Sequence, residues 1–422
     1  MRIDSNSNRI RDMILGINTP VRLDNGKMSP AINLDNAATA PAFKQVADAI
    51  QRQMHYYGSI GRGKGQKSEH SSEIYANGRD IIKKFVGADD SKYTVFYTGC
   101  TTDGINKLAS ALIESPRDMI LSTRMEHHAN DLPWRERART VYAEVDDKGR
   151  LIIDDVERLL KKYGGKIKYV TVTAASNVTG YVNDVHKIAK IAHKYGAYII
   201  VDGAQIVAHR TFSMLGVDSD EDIDFFAFSA HKMYSPYGGG AVVGLSEVLN
   251  QHIPKFYGGG IVELVTDDDV TYTDAPDVYE AGSPNYAGVV GMLEAIKILE
   301  HIGFDYIEKH EKRLLMRALD GFFNNPNITL YGDSKNITDR VGILVFNLNG
   351  MDSETVANQL AGRAGIAVRH AKFCAHPYVQ RLLDYTPTLT CDKATGMVRI
   401  SFGVYNNNDD VDCLIKTVRD LI

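Results

Sequence analysis

Residues 228–240 read FSAHKMYSPYGGG and place one lysine, Lys232, on a turn between two apolar segments. The apolar residues before the turn and the run 241–244 after it are typical of short buried strands. A lysine held between buried strands loses part of its hydration, which disfavours the ammonium form and leaves an amine that can attack a carbonyl. Ser229 and His231 flank it and could bind a phosphate. Two interpretations stay open on this stretch alone: a Schiff-base lysine for pyridoxal phosphate, or a lysine of an ordinary surface turn.

The composition describes a folded protein with an acidic balance. The chain has 422 residues, 44% of them hydrophobic, and a formal net charge of -5 at pH 7. This length suits one large domain and a second, smaller one, and the charge offers no basic field for nucleic acid. No apolar run is long enough to span a bilayer, and the polar start is not a signal peptide. We expect a cytoplasmic protein whose partners are small molecules or proteins, with no nucleic acid and no membrane.

Cysteines and histidines give no pattern typical of a metal site. The four cysteines are Cys100, Cys374, Cys391 and Cys413. None stands in a CxxC pair, so neither a zinc site nor a disulfide framework is predicted. The adjacent His127 and His128 point in different directions and lack an evident third ligand. A histidine stacked on an aromatic cofactor and a histidine that caps or edges the core are both open for this pair.

Strand and helix patterns alternate along the first two thirds of the chain. Apolar strands such as 94–98, 168–173 and 197–202 are separated by amphipathic helical patterns. These are βαβ units, which predict a largely parallel sheet with ligands at the carboxyl ends of its strands. From about residue 287 longer helices with few strands predict an α+β domain. We therefore predict an α/β fold with an N-terminal segment at 1–30 that packs with the small domain, a large domain at 31–295 and a small C-terminal domain at 296–422.

Polar residues stand where the predicted strands end. Thr101 and Thr102 follow the strand 94–98 at a helix start, where free N–H groups and the helix dipole can hold a phosphate. A plain N-cap is the alternative. Asp202 ends an apolar strand, and Lys232 follows one strand later, so we expect both on neighbouring strand ends. The carboxylate either caps a helix or serves a ligand cation such as a protonated pyridine nitrogen.

The motifs together resemble a known family. The chain contains, in order, LDNAAT at 34–39, TT at 101–102, EHHAN at 126–130, SNVTG at 176–180, VDGAQ at 201–205, SAHK at 229–232, GGG at 258–260 and EAGSPN at 280–285. This order resembles the class V aminotransferases, which are pyridoxal phosphate enzymes of fold type I. Within them it is most similar to the group II (Suf-type) cysteine desulfurases and selenocysteine lyases. The resemblance runs from about residue 32 to 405.

The resemblance implies a role for individual residues around pyridoxal phosphate. Lys232 would form the Schiff base, Asp202 would pair with the pyridinium nitrogen, and His127 would stack on the ring. Hydrogen bonds to the ring substituents would come from Asn177 and Gln205. The phosphate would be held by Thr101, Thr102, Ser229, His231 and, across a homodimer interface, Ser283 of the partner subunit.

The resemblance also implies a substrate end of the site. Arg399 matches the arginine that clamps the substrate carboxylate, with Ala37 and Asn177 beside it. A planar guanidinium suits a bidentate carboxylate, whereas an exposed arginine on an edge strand is the structural alternative. Cys374 occupies the position of the nucleophilic cysteine. The three residues before it, 371–373, replace the glycine and histidines of the group II pattern.

These assignments imply an enzyme that removes sulfur from L-cysteine. The products would be L-alanine and a persulfide on Cys374, which a sulfur-acceptor protein would receive for iron–sulfur cluster or thio-cofactor assembly. The alternative is another class V enzyme, such as a C–S lyase, a selenocysteine lyase or an aminotransferase, that does not use Cys374 as a nucleophile. A binding or assembly subunit without catalysis is disfavoured, since Lys232, Asp202, His127 and Arg399 are all present.

Overall fold

A computed structural model describes residues 9–61, 63–384 and 396–422, so Cys391 lies outside the described residues. A small antiparallel hairpin near the N-terminus, formed by the first two strands, was not predicted by the sequence patterns. Its two strands have three residues each, which is too short for an alternation of apolar and polar side chains to be recognised in the sequence. The first three strands are β1 (Pro20–Arg22), β2 (Met28–Pro30) and β3 (Ile32–Asn33).

A seven-stranded sheet carries most of the fold. Its strands are β4 (Tyr93–Thr98), β5 (Met119–Thr123), β6 (Arg139–Ala143), β7 (Ile167–Thr173), β8 (Tyr198–Asp202), β9 (Phe225–Ser229) and β10 (Gly240–Leu245). They lie in the order β4-β10-β9-β8-β7-β5-β6. The pairs from β6 to β9 are parallel, and only β10 runs antiparallel to its two neighbours within this sheet. The predicted α/β fold with a mainly parallel sheet is confirmed.

Both faces of the sheet are buried, which explains the nearly continuous apolar runs of its strands. In β9, Phe226 and Phe228 pack into the core on one face, while Phe225 packs into a separate cluster on the other. This alternation follows from the period of two along a strand. The helices around the sheet are Lys44–Met54, Gln66–Phe85, Thr101–Leu112, Leu132–Arg135, Ile153–Tyr163, Val185–Lys194 and Ser246–Gln251. The helical pattern of the second one is visible in the sequence only from residue 73, because its first two turns carry few apolar side chains.

The last third of the chain builds a separate antiparallel sheet and its own apolar cluster. A surface hairpin, β11 (Val262–Val265) and β12 (Val270–Tyr272), precedes it. The four-stranded sheet has the order β13-β14-β17-β16 and packs against a cluster that includes Leu314, Phe346 and Val411. Its strands are β13 (Ile328–Tyr331), β14 (Ile343–Leu348), β16 (Arg369–Ala371) and β17 (Met397–Ser401), while β15 (Ile366–Ala367) pairs with β3. The helices are Tyr286–Ile302, Phe304–Phe322, Ser353–Ala364, His376–Leu382 and Asn408–Arg419.

The N-terminal segment contacts both parts of the chain. Arg11 forms an ion pair with Asp410 at 2.9 Å, and the Asp24 N–H donates to the Gly362 carbonyl at 2.9 Å. Ile14 packs into the core beside the large sheet. The division at residues 30 and 295 stays a prediction. In the part of the chain that the structure describes, no helix is both long and apolar enough to cross a membrane.

Candidate active site

A cavity of about 270 Å³ lies at the carboxyl ends of the parallel strands. Thr173, Asp202 and Ser229 end β7, β8 and β9, and all three line it. Asp202 and Lys232 therefore meet beyond neighbouring strands, as the sequence predicted. The predicted site residues in the cavity are Ala37, Thr101, Thr102, His127, Asn177, Asp202, Gln205, Ser229, His231, Lys232, Cys374 and Arg399. Ser283 lies elsewhere, in a surface cavity shared with Gly99 and Asn285.

Lys232 is held by a tight turn that the sequence fixes locally. The Ala230 N–H donates to the Gly239 carbonyl at 2.9 Å, which closes the turn. Tyr234 follows with φ of 64°, and its buried hydroxyl accepts from the Val404 N–H at 2.8 Å. Burial lowers the pKa of the Lys232 ammonium to about 8, which Asp202 opposes and the Arg399 charge reinforces. A sizeable fraction of the amine is therefore neutral near neutral pH.

Asp202 is a buried carboxylate, 3% exposed, at the end of β8. Its Oδ1 accepts from the Ala204 N–H at 2.9 Å. Burial raises the pKa of this carboxyl, while the Lys232 charge acts in the opposite direction. A second cation placed beside the carboxylate would stabilise its ionised form.

His127 presents a neutral imidazole to the cavity. Burial lowers its pKa to about 3, and the Lys232 charge adds to the effect. Nδ1 accepts from the Ala129 N–H at 3.0 Å, so the neutral ring carries its proton on Nε2. Behind it, the carboxylate of Glu126 is buried and accepts from the Asn130 amide at 2.7 Å and the Thr173 N–H at 3.0 Å. These bonds join the turn that carries His127 to β7.

The helix Thr101–Leu112 points its N-terminus into the cavity. Within the described residues its N-cap, Cys100, makes no side-chain cap, so N–H groups of the first turn stay available. The Thr101 N–H and hydroxyl both contact the Ser229 hydroxyl, at 2.7 and 2.6 Å. Thr102 is exposed to the cavity, and burial lowers the pKa of His231 to about 4. The arrangement suits a phosphate.

Arg399 also lines the cavity and is 2% exposed. Its Nη1 donates to the Asn177 carbonyl at 2.9 Å and its Nη2 to Asp35 Oδ1 at 2.7 Å. Its Nε is buried and has no hydrogen-bond partner among the described residues. The guanidinium carbon lies 5.2 Å from the centre of the Phe373 ring, and the Asn177 amide donates to the Phe373 carbonyl at 2.8 Å. One of the two amide hydrogens of Asn177 is thus used inside the protein.

Cys374 is exposed and lines the cavity from a loop with an unusual backbone. Phe373 and Cys374 have φ of 51° and 54°, a left-handed conformation that is uncommon outside glycine. The Cys374 carbonyl accepts from the His128 N–H at 2.7 Å, which fixes the loop to the turn beside His127. A thiolate here would raise the pKa of both Lys232 and Arg399, so these two cations are its electrostatic partners.

The residues present fit pyridoxal phosphate. The Gln205 amide nitrogen donates to the Ala37 carbonyl at 2.8 Å, whereas its Oε1 is buried without a partner in the described ranges. Buried polar atoms are nearly always satisfied, so this oxygen indicates a ligand donor in the cavity. A buried carboxylate suited to a pyridinium, an imidazole face and an uncapped helix start complete the match.

Sequence reasoning missed three contributors to the site. Asp35, Glu126 and Phe373 stand inside or beside quoted motifs but received no role. Asp35 and Arg399 are paired across 364 positions, and no local pattern reports a contact of that separation. Phe373 gave a signal, because it replaces a histidine of the group II pattern.

The parallel sheet with a buried lysine, a strand-end aspartate and a phosphate cradle at one cavity defines a pyridoxal phosphate-dependent enzyme of fold type I. The chain belongs to the aminotransferase class-V family, whose model matches residues 32–414. Enzymes of this family use pyridoxal phosphate, so the predicted cofactor is confirmed.

Named relatives and solved structures agree with this assignment. The cysteine desulfurase of Haloferax volcanii is 36% identical over 411 residues, which cover 95% of this chain and 92% of the relative. A protein of Halalkalibacterium halodurans named "probable cysteine desulfurase" is 35% identical, with 92% of each chain covered. The apo cysteine desulfurase of Thermococcus onnurineus NA1 superposes with a TM-score of 0.83 at 30% identity, covering 93% of this chain and 94% of that one. The S-sulfonic acid form of the Escherichia coli cysteine desulfurase CsdA gives 0.82 at 29% identity, with 98% of each chain covered. The predicted resemblance is confirmed.

Proposed function

We propose that this chain is a cysteine desulfurase that converts L-cysteine to L-alanine and keeps the sulfur as a persulfide on Cys374. One observation carries the proposal: the exposed Cys374 thiol lines the same cavity as Lys232 and Arg399. A lysine amine, a carboxylate-binding guanidinium and a nucleophilic sulfur are the three groups that the reaction requires from the protein.

Lys232, Asp202 and His127 would hold the ring of pyridoxal phosphate, and the start of the helix Thr101–Leu112 with His231 would hold its phosphate. When bound, the cofactor supplies an aldehyde for the substrate amino group and a ring that withdraws electrons from the substrate Cα. The neutral His127 imidazole would pack against that ring without adding a charge. Asp202 would place its carboxylate beside the ring nitrogen.

Lys232 transfers the α proton of the substrate. A pKa of about 8 leaves its Nζ able both to accept the α proton and to return it at neutral pH. Arg399 orients the substrate through its α-carboxylate, for which the unpartnered Nε offers a free donor. Asn177 holds the guanidinium from behind through its carbonyl.

Cys374 performs the sulfur transfer. Its thiolate attacks the substrate sulfur, a sulfur–sulfur bond forms, and the bond between that sulfur and Cβ breaks. The electron pair of the broken bond stays with the carbon part of the substrate, which takes up protons and leaves as alanine. Each alanine therefore corresponds to one persulfide on Cys374. Arg399 and Lys232 are the two cations of the cavity that interact by charge with Cys374.

The proposal includes a homodimer in the cytoplasm and a sulfur-acceptor protein for iron–sulfur cluster or thio-cofactor assembly. Ser283 lies outside the cavity of its own chain, which supports a role in the site of the partner subunit. Tyr257 and Leu264, on the segment before it, are large apolar side chains that are 63% and 59% exposed. Such side chains favour burial against a second protein surface.

A second candidate is another class V enzyme, such as a C–S lyase, a selenocysteine lyase or an aminotransferase, that does not use Cys374 as a nucleophile. The loop favours it in one respect, because Phe373 offers no imidazole beside the thiol. The deciding experiment measures alanine and sulfide from L-cysteine, with a thiol reductant added to release the persulfide sulfur as sulfide, for the wild type, Cys374→Ala and the control Cys413→Ala. We expect Cys374→Ala to lose at least about a hundredfold in both products and Cys413→Ala to lose neither. Equal product from Cys374→Ala would establish the second candidate.

A further inference from the structure

Two arginines at the substrate end share one carboxylate. Arg369 on β16 pairs in register with Arg399 on β17, so the two side chains leave the sheet at adjacent positions. Both line the cavity. Like charges directly opposite one another destabilise a sheet unless a counter-charge lies between them.

Asp35 supplies that counter-charge from outside the cavity wall. Its Oδ1 lies 2.7 Å from Arg399 Nη2, and its Oδ2 lies 3.7 Å from Arg369 Nη1. The Asp35 N–H donates to the Asn33 side chain at 3.0 Å, which fixes the turn that carries the carboxylate. Asp35 does not line the cavity, so it acts on a substrate through the two arginines.

The charges of these three residues sum to one positive charge. That sum matches an amino acid with one free carboxylate, bound by the buried Arg399. Arg369 is 51% exposed on its side chain and lines the same cavity as Cys374. An unneutralised Arg369 would attract a second anion on the substrate side chain.

We propose that Asp35 is a positioning residue that sets the charge of the substrate end and so selects amino acids with an uncharged side chain over those with a second carboxylate. The inference rests on the proposed function, since it takes Arg399 as the group that binds the substrate α-carboxylate.

The test compares L-asparagine with L-aspartate, which have the same shape and differ in side-chain charge. Titration calorimetry on the cofactor-loaded enzyme gives a dissociation constant for each, and their ratio reports the charge preference. We expect wild type to favour asparagine. In Asp35→Asn the affinity for aspartate relative to asparagine should rise about tenfold. In Asp35→Glu this relative affinity should stay as in the wild type.

Arg369→Gln provides the opposite arm, on a half-exposed side chain whose loss leaves the core intact. In Arg369→Gln the affinity for aspartate should fall relative to the affinity for asparagine. If Asp35→Asn fails to load the cofactor, the result for Arg369→Gln decides whether the proposal holds. If neither amino acid binds the wild type, the proposed amino-acid site is wrong. If both bind and the ratio stays within about twofold in Asp35→Asn and Arg369→Gln, the role of Asp35 is overturned while the proposed function stands.

Discussion

The acidity of Lys232 gives the sharpest test of how the site works. The amine captures the cofactor aldehyde only in its neutral form. The folded chain lowers the pKa of Lys232 from 10.5 to about 8, first by burial. Capture by the cofactor-free protein should therefore speed up as the pH rises toward 8 and level off above it.

The magnitude follows from the two pKa values. At pH 7 a pKa of about 8 leaves roughly a tenth of the lysines neutral, against about one in three thousand at 10.5. The site thus gains roughly a 300-fold larger neutral fraction. Asp202 raises the pKa of Lys232, so Asp202→Asn should lower it further and move the midpoint of the pH profile below that of the wild type.

The assay mixes cofactor-free protein with pyridoxal phosphate between pH 6 and 10 and follows the visible absorption of the lysine-bound cofactor. Lys232→Ala is the control that should never develop this band. A wild-type profile that still rises steeply at pH 10 would show that burial does not shift Lys232. A midpoint that moves upward in Asp202→Asn would contradict the sign of the Asp202 effect.

Two further predictions address the substrate and the assembly. Arg399→Lys keeps the charge but loses the planar fork, so KM for L-cysteine should rise about ten- to a hundredfold with a smaller change in kcat; an unchanged KM would place the carboxylate elsewhere. Scattering should give a homodimer, and Ser283→Ala should weaken cofactor binding measured by equilibrium dialysis. A fully active monomer, or a Ser283→Ala variant with unaltered cofactor affinity, would exclude the shared site.

The sheet could be predicted from sequence because its signals are local. The apolar runs of β8 and β9 are continuous, and each ends in a polar residue at a turn. The hairpin of β1 and β2 gave no such signal, since strands of three residues show no period. The first turns of the helix Gln66–Phe85 also gave no signal. They are polar and are helical because the later, apolar turns of the same helix pack against the protein.

The residues of the site likewise differ in whether local sequence patterns could predict them. Lys232, Asp202 and Thr101 stand at strand ends, and parallel strands bring such positions together. Arg399 and Cys374 lie in the C-terminal part of the chain. From the sequence, only the resemblance to a family predicted that they belong to the site. The contact that orients Arg399 could not be predicted, because its partner Asp35 lies near the other end of the chain and only the tertiary fold brings the two together.

The ionisable groups of the cavity share one tendency, which explains how one fold can hold so many of them. Burial lowers the pKa of Lys232, His127 and His231 and raises that of Asp202, so each is shifted toward its neutral form. This shift lowers the free-energy cost of burying the groups, because isolated ions cost far more to bury than neutral forms. The phosphate and the ring nitrogen of the cofactor would each add a charge: the helix start without a side-chain cap suits the phosphate, and Asp202 suits the nitrogen. Affinity for the cofactor and reactivity of Lys232 therefore arise from the same burial, and a substitution that opened the cavity to water would weaken both together.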